Sequence, residues 1–133
     1  MFKQEGKPRQ ETIFVFSAHS DDFVLGAGGT IAKHARQGSK VRSICFSYGE
    51  KSHPWLKTKV IKKVRYDEAV RAGRLLKCKL TFFDLRELNF PKDAAAQGTE
   101  EKLIRLIARE KPAKIFTHSH EDLHPDHKAV HTL

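Results

Sequence analysis

The chain has 133 residues, enough for one domain with a layered core and too few for two substantial ones. Its 25 Lys and Arg outnumber 16 Asp and Glu, and the resulting net charge of +9 favours anionic partners by long-range attraction without naming one. The basic residues are dispersed, with concentrations at 3–9 and at Lys57, Lys59, Lys62, Lys63 and Arg65; without zinc-finger spacing, an RNA-binding aromatic signature or an Arg-rich arm, nucleic acid is not the expected partner.

A polar leader with no signal-peptide run precedes residues 12–18, where Ile13, Phe14, Val15 and Phe16 predict a strand buried on both faces. The cluster Ala18-His19-Ser20-Asp21-Asp22 falls at its carboxyl end. A helix is expected over 25–37, with Leu25, Ile31 and Ala35 on its apolar side and Gly38 as its stop. Gly26, Gly28 and Gly29 lack full dinucleotide or P-loop spacing and follow two carboxylates that would repel phosphate, so close helix packing or room around a metal is the better reading.

Residues 40–48 form a second expected strand, followed by a loop containing His53-Pro54 and a long helix over 59–76 that uses Val60, Val64, Ala69, Ala72, Leu75 and Leu76. A third strand covers 80–83. Residues 85–96 read as a loop or broken turn because Asn89-Phe90-Pro91 interrupts a regular element. Thr99 resembles the N-cap of a helix burying Leu103, Leu106 and Ile107, which Lys111-Pro112 ends. A fourth strand over 113–117 and a final helix opening at Pro125 complete the series. Cys45 and Cys78 sit in apolar runs without a C-x-x-C arrangement, as reduced core thiols do. No run reaches transmembrane length, so the expectation is a soluble cytoplasmic protein with no membrane partner.

This alternation predicts a three-layer α/β/α domain with a mainly parallel sheet, whose ligands lie beyond the carboxyl ends of the strands. Both His/Asp clusters, His19 to Asp22 and His124-Pro125-Asp126-His127, occupy such ends. Catalytic zinc commonly takes three nitrogen or oxygen ligands and leaves a position for water, and His19, Asp22 and His127 provide that set. Asp21, adjacent to a ligand but free to face elsewhere, suits the base that takes a proton from water. His124 can face the same site to stabilise an oxyanion or protonate a leaving amine, and Asp126 can fix the tautomer of one imidazole. His118, His120 and His131 are nearby substitutes of lower specificity.

Ala18 to Asp22, Leu25-Gly26-Ala27-Gly28-Gly29-Thr30, Ser47-Tyr48-Gly49-Glu50, the helix from Arg65 to Leu76, and Thr117-His118 through His127 together resemble the LmbE-like, or PIG-L, family of zinc-dependent N-deacetylases. The resemblance implies a Rossmann-like fold and hydrolysis of the acetamide of an N-acetylglucosamine-type sugar. It implies Zn2+ on His19, Asp22 and His127, Asp21 as base, His124 at the oxyanion or amine, Asp126 orienting a histidine, and Arg65, Glu50 and Asp84 contacting a small N-acetylated amino-sugar substrate. The loop 49–54 is more similar to the chitobiose and small N-acetylglucosaminide branch than to the lipid-linked one. Two departures stand out: Ser20 replaces a frequent Pro, and family members continue beyond the last motif, so residues 1–133 are expected to be the N-terminal and central portion of a deacetylase domain truncated at its C-terminus. The alternative function is a noncatalytic metal- or sugar-binding fragment, and a homo-oligomer is compatible with an exposed sheet edge.

Overall fold

The computed structural model describes residues 10–52 and 55–133. The polar leader, the basic cluster at 3–9 and the His53-Pro54 pair lie outside the described residues. Four parallel strands, β1 (Thr12–Ser17), β2 (Lys40–Cys45), β3 (Cys78–Phe82) and β4 (Lys114–Phe116), form one sheet in the order β3-β2-β1-β4. The alternation of strand with helix imposes this arrangement, since parallel neighbours need a crossover between them. β1 lies inside the sheet and its side chains are covered on both faces: Phe14 points into one apolar layer and Ile13 and Val15 into the other.

The helices α1 (Asp22–Arg36) and α2 (Thr58–Leu76) cover one face, packing Phe23, Ile31 and Ala69 against Ile13, Val15 and Val41. The helices α3 (Phe90–Gln97), α4 (Thr99–Glu110) and α5 (Pro125–Thr132) supply Phe90, Ala94, Leu103, Leu106 and Val130 to the other. The result is the three-layer Rossmann-like architecture expected of the pattern. Cys45 and Cys78 are free and buried, and burial pushes their thiols up to about 12 and about 11, so neither carries thiolate at neutral pH. No helix among the described residues is long and apolar enough to cross a membrane.

Several boundaries and faces differ from the sequence expectation. Helix α1 begins three residues early, at Asp22, and its buried face is Phe23, Ala27 and Ile31. Leu25, two residues and about 200° around the helix from Phe23, is 79 % exposed. In α2 the inward row is Ile61, Ala69 and Gly73, whereas Val60, Val64 and Leu75 face outward. The segment read as a broken loop is helix α3, because Pro91 sits in its first turn, where a missing N–H costs nothing. Thr99 does not cap α4: Gly98, at φ 63°, holds the cap position, and the buried Thr99 hydroxyl has no hydrogen-bond partner. A 3-10 turn, Glu50–Ser52, follows β2.

For the glycines of α1, of the two readings only close packing is overturned. Gly26, Gly28 and Gly29 lie within the helix, and a Cβ at any of them would meet nothing within 4 Å, so they serve no close packing. Gly73 in α2 is the opposite case, since a Cβ there would lie 2.8 Å from the Cys78 carbonyl oxygen. The same substitution therefore has opposite signs at the two places. Gly28→Ala should raise unfolding free energy by about 0.5–1 kcal/mol through lost chain entropy, and Gly73→Ala should lower it by about 1–3 kcal/mol through overpacking. Urea midpoints at unchanged slope check both; a shared sign would contradict the packing described.

Candidate metal centre

The turn from β1 into α1 is tied by side chains on either side of it. The buried Ser17 hydroxyl donates to the His19 carbonyl oxygen (2.7 Å) and accepts from the Phe23 N–H (2.9 Å), and the Asp22 carboxylate accepts from the His19 N–H (2.8 Å). Asp22 thereby stands in the first turn of α1, where the helix N-terminus favours a negative charge. On the far side of β1, the segment after β4 returns to the same sheet end, since β4 pairs with β1. That pairing delivers His118, Asp122, His124, Asp126 and His127 to His19.

The structure brings His19, Asp22 and His127 together, with one donor atom of each within 4.8 Å of the others. Asp22 Oδ2 lies 3.5 Å from His19 Nδ1 and 3.2 Å from His127 Nε2. Each imidazole meets a second carboxylate at its other nitrogen. His19 Nε2 is 2.8 Å from Asp126 Oδ2, and His127 Nδ1 is 2.9 Å from Asp122 Oδ2. Two imidazoles and one carboxylate, each imidazole braced from behind, fit a catalytic zinc in number, donor chemistry and outer support.

Electrostatics follow from these contacts. Burial works against a charged His19, but its bonds to Asp126 and Asp22 outweigh that and raise its pKa to about 10. Burial likewise opposes the charge of Asp22 and Asp126, and the hydrogen bonds with His19 overcome it to hold both carboxyls below the ordinary range. Asp122 is held at about 2, first by the His124 N–H and then by the His127 ring. Burial, reinforced by nearby His127, lowers the pKa of His118.

His124 is the N-cap of α5. Its Nδ1 accepts from the Asp126 N–H (3.0 Å), so in the neutral ring the proton sits on Nε2 as a donor. Its ring centroid is 4.8 Å from those of both His19 and His127. Asp126 is fixed in turn by the Leu88 N–H, 3.0 Å from both its oxygens, at a residue whose φ is 64°. Asp21 lies beside the cluster but outside it, half-exposed, with Oδ1 3.3 Å from Arg65 Nη2. Arg65 Nε donates to the Tyr48 carbonyl oxygen, which also accepts from Ser20 Oγ, so Ser20 ties the Asp21 turn to the anchor of Arg65. Gly49, at φ 70°, leaves the guanidinium room: a Cβ there would sit 3.2 Å from Nη2.

Glu50 and Asp84 stand apart from the cluster. Glu50 is buried, one oxygen accepting from Ser47 Oγ and the other from the Glu87 N–H. Asp84 is exposed and paired with Lys62 at 2.8 Å, at a shallow cavity of about 360 Å³ that Tyr48 and Tyr66 also line. A larger groove of about 680 Å³ lies between α3, α4 and α5, lined by Phe90, Ala94, Pro125, Ala129 and Leu133, and no His or Asp of the cluster borders it. Sequence reasoning missed Ser17, Glu87 and Asp122. Glu87 Oε1 comes within 3.8 Å of His19 Nε2, and nothing in its local sequence signals that approach. His118, which sequence reasoning left as a substitute ligand, stacks on His127 at 4.0 Å and accepts from the Ala18 N–H at 3.0 Å through Nε2.

The profile of one protein family, GlcNAc-PI de-N-acetylase (PIG-L), matches residues 14–133. The chain is 34 % identical over 120 residues to the 4-oxalmesaconate hydratase of Pseudomonas putida KT2440, covering 85 % of this chain and 45 % of that protein. Among solved structures, GalB, the 4-carboxy-2-hydroxymuconate hydratase from the same organism, superimposes with a TM-score of 0.80 at 31 % identity, over 92 % of this chain and 53 % of GalB. The N,N'-diacetylchitobiose deacetylase of Pyrococcus horikoshii shares the fold at a TM-score of 0.80 and 24 % identity, over 96 % of this chain and 49 % of that one. The chain thus spans about half the length of the relatives it matches.

The raised pKa of His19 has a stability consequence with a definite sign. Its folded value of about 10 exceeds the ordinary 6.5, so in metal-free protein its contribution is complete below about pH 6.5 and is lost as pH rises through about 10. In EDTA, the urea midpoint of the wild type should therefore fall towards that of His19→Gln as pH rises from 7 to 10. A gap between the two that does not change with pH would contradict the paired-carboxylate account.

Proposed function

The chain belongs to the GlcNAc-PI de-N-acetylase (PIG-L) family, and from that premise we propose that it carries the metal centre of a zinc-dependent N-deacetylase. The proposed reaction removes the acetyl group from a small N-acetylglucosamine-type sugar or conjugate, releasing acetate and a free amine. The observation that carries the reading is the convergence of His19, Asp22 and His127, with Asp21 beside the cluster and not within it.

Zn2+ held by these three residues would supply Lewis-acid polarisation of the amide carbonyl and make a water acidic enough to ionise near neutral pH. Asp21 takes the proton from the attacking water as its oxygen bonds to the carbonyl carbon. Arg65, 3.3 Å from Asp21 Oδ1, holds one oxygen of that carboxylate in place beside the cluster. His124, with Nδ1 already occupied by the Asp126 N–H, offers Nε2–H to the developing oxyanion or, as the C–N bond breaks, to the leaving amine. Asp126 holds His19 in register. Arg65 and Asp84 are proposed to contact the substrate beyond the acetamide, whereas the enclosed carboxylate of Glu50 serves as a brace for the loop after β2.

The 34 % identity to 4-oxalmesaconate hydratase supports a second reading, in which the same residues prepare water for addition to an unsaturated acid. Both readings use Asp21 on a water; they differ in the bond the water attacks. Zinc-loaded protein should release acetate from N-acetylglucosamine or N,N'-diacetylchitobiose, and Asp21→Asn should reduce the rate about 10²- to 10⁴-fold while leaving zinc stoichiometry unchanged. Hydration of 4-oxalmesaconate with no acetate release would favour the second reading. Stoichiometric zinc with neither turnover would leave the noncatalytic metal- or sugar-binding role.

A further inference from the structure

Among the described residues, three overlapping groups at this end of the sheet have metal-binding composition: His19, Asp22 and His127; His118, Asp122 and His127; and His19, Glu87, His124 and Asp126. Hydrogen bonding separates them. In the second group, His118 Nε2 already accepts from the Ala18 N–H, which places the ring proton on Nδ1 and leaves no free lone pair on either nitrogen. Both oxygens of Asp122 are also engaged, Oδ1 by the His124 N–H at 2.9 Å and Oδ2 by His127 Nδ1 at 2.9 Å. In the third group, His124 Nδ1 accepts from the Asp126 N–H and His19 Nε2 faces Asp126. Only in the first do the imidazoles turn nitrogens not otherwise engaged, His19 Nδ1 and His127 Nε2, towards one carboxylate.

Resting on the metal reading above, we infer that Asp122 is a positioning residue for the centre: it holds the His127 proton on Nδ1 so that the Nε2 lone pair faces Asp22 and His19. Asp122 is thus the counterpart of Asp126. One carboxylate stands behind each ligating imidazole, and both come from the single segment 122–127. The two differ in setting. Asp126 is buried and locked by the Leu88 N–H, whereas Asp122 keeps 31 % of its side chain exposed and is held by the backbone of its own loop. Through its other oxygen Asp122 also fixes the entry to α5, so the ring of His127 and the cap residue His124 are set by one group.

The test is zinc affinity, measured by chelator competition at constant pH on wild type, Asp122→Ala, Asp122→Asn, His127→Ala, His118→Ala and the His127→Ala/Asp122→Ala double variant. Loss of an outer carboxylate should weaken zinc about 10- to 100-fold in Asp122→Ala. Asp122→Asn should lose less, because an amide oxygen still accepts from the ring N–H. If Asp122 acts through His127, removing it from the His127→Ala background should cost nothing further. In metal-free protein, nitrogen-15 NMR should show His127 protonated on Nδ1 in the wild type and not held in that form in Asp122→Ala. Unaltered zinc affinity in Asp122→Ala, or an equal loss in the His127→Ala background, would overturn this inference alone. A loss in His118→Ala as large as that in His127→Ala would overturn it by making the second group the metal holder. Failure of the wild type to bind zinc would remove the metal reading itself and this inference with it.

Discussion

Asp22 Oδ2 is the atom on which two distant parts of the chain meet. It accepts from the His19 N–H, which closes the turn out of β1, and it faces the near nitrogens of both His19 and His127. Three groups competing for one oxygen would be costly in an apolar interior without further pairing. Here each histidine has a second carboxylate, so carboxylates and imidazoles alternate across the site from Asp126 through His19 and Asp22 to His127 and Asp122. The same alternation favours a protonated His19 in metal-free protein and would favour a cation held by His19, Asp22 and His127 in loaded protein.

The sheet is what makes this meeting possible. β1 and β4 are parallel neighbours, so their carboxyl ends coincide, and the loops that leave them lie side by side. The backbone of Ala18 reaches the ring of His118 across that gap. Around this frame the loop after β2 supplies Tyr48 and Glu50, and the loop after β3 supplies Glu87 and Leu88. Every strand therefore contributes at the same end, as open parallel sheets do. The hydratase and the deacetylase that share this fold indicate that such a frame is compatible with more than one reaction. Preparing water beside a carboxylate is common ground for hydrolysis and hydration, and in the proposed function Arg65 and Asp84 are the charged groups assigned to the rest of the substrate.

The strands were legible because residues such as Phe14, Val15 and Ile44, covered on both faces, leave continuous apolar runs. The helices α1, α2, α4 and α5 were also legible as elements, whereas α3 and the helix faces were less so. Leu25, Val60 and Leu75 are apolar and exposed, so composition pointed to the wrong stripe where rotation per residue decides. Pro91 carried two meanings, breaker or first-turn residue, and only packing of Phe90 and Ala94 into the core selects the second. Within the site, His19, Asp22 and His127 stood out through the density of His and Asp at strand ends. Asp122 did not, because its part depends on which way the His127 ring turns, five residues later and across a helix start. Glu87 was hidden for a related reason: its approach to His19 is a property of the β3–α3 loop, with no local spacing to announce it.

The central claim is that His19, Asp22 and His127 hold the metal while the neighbouring histidines do not. Zinc-edge X-ray absorption on the loaded protein tests it most directly. The account predicts two imidazoles and carboxylate or water oxygen in the first shell, with zinc–nitrogen distances of about 2.0–2.1 Å. A shell of three or more imidazoles, which would require His118 or His124 to give up the hydrogen bond it now accepts, or any sulfur from the buried cysteines, would contradict it.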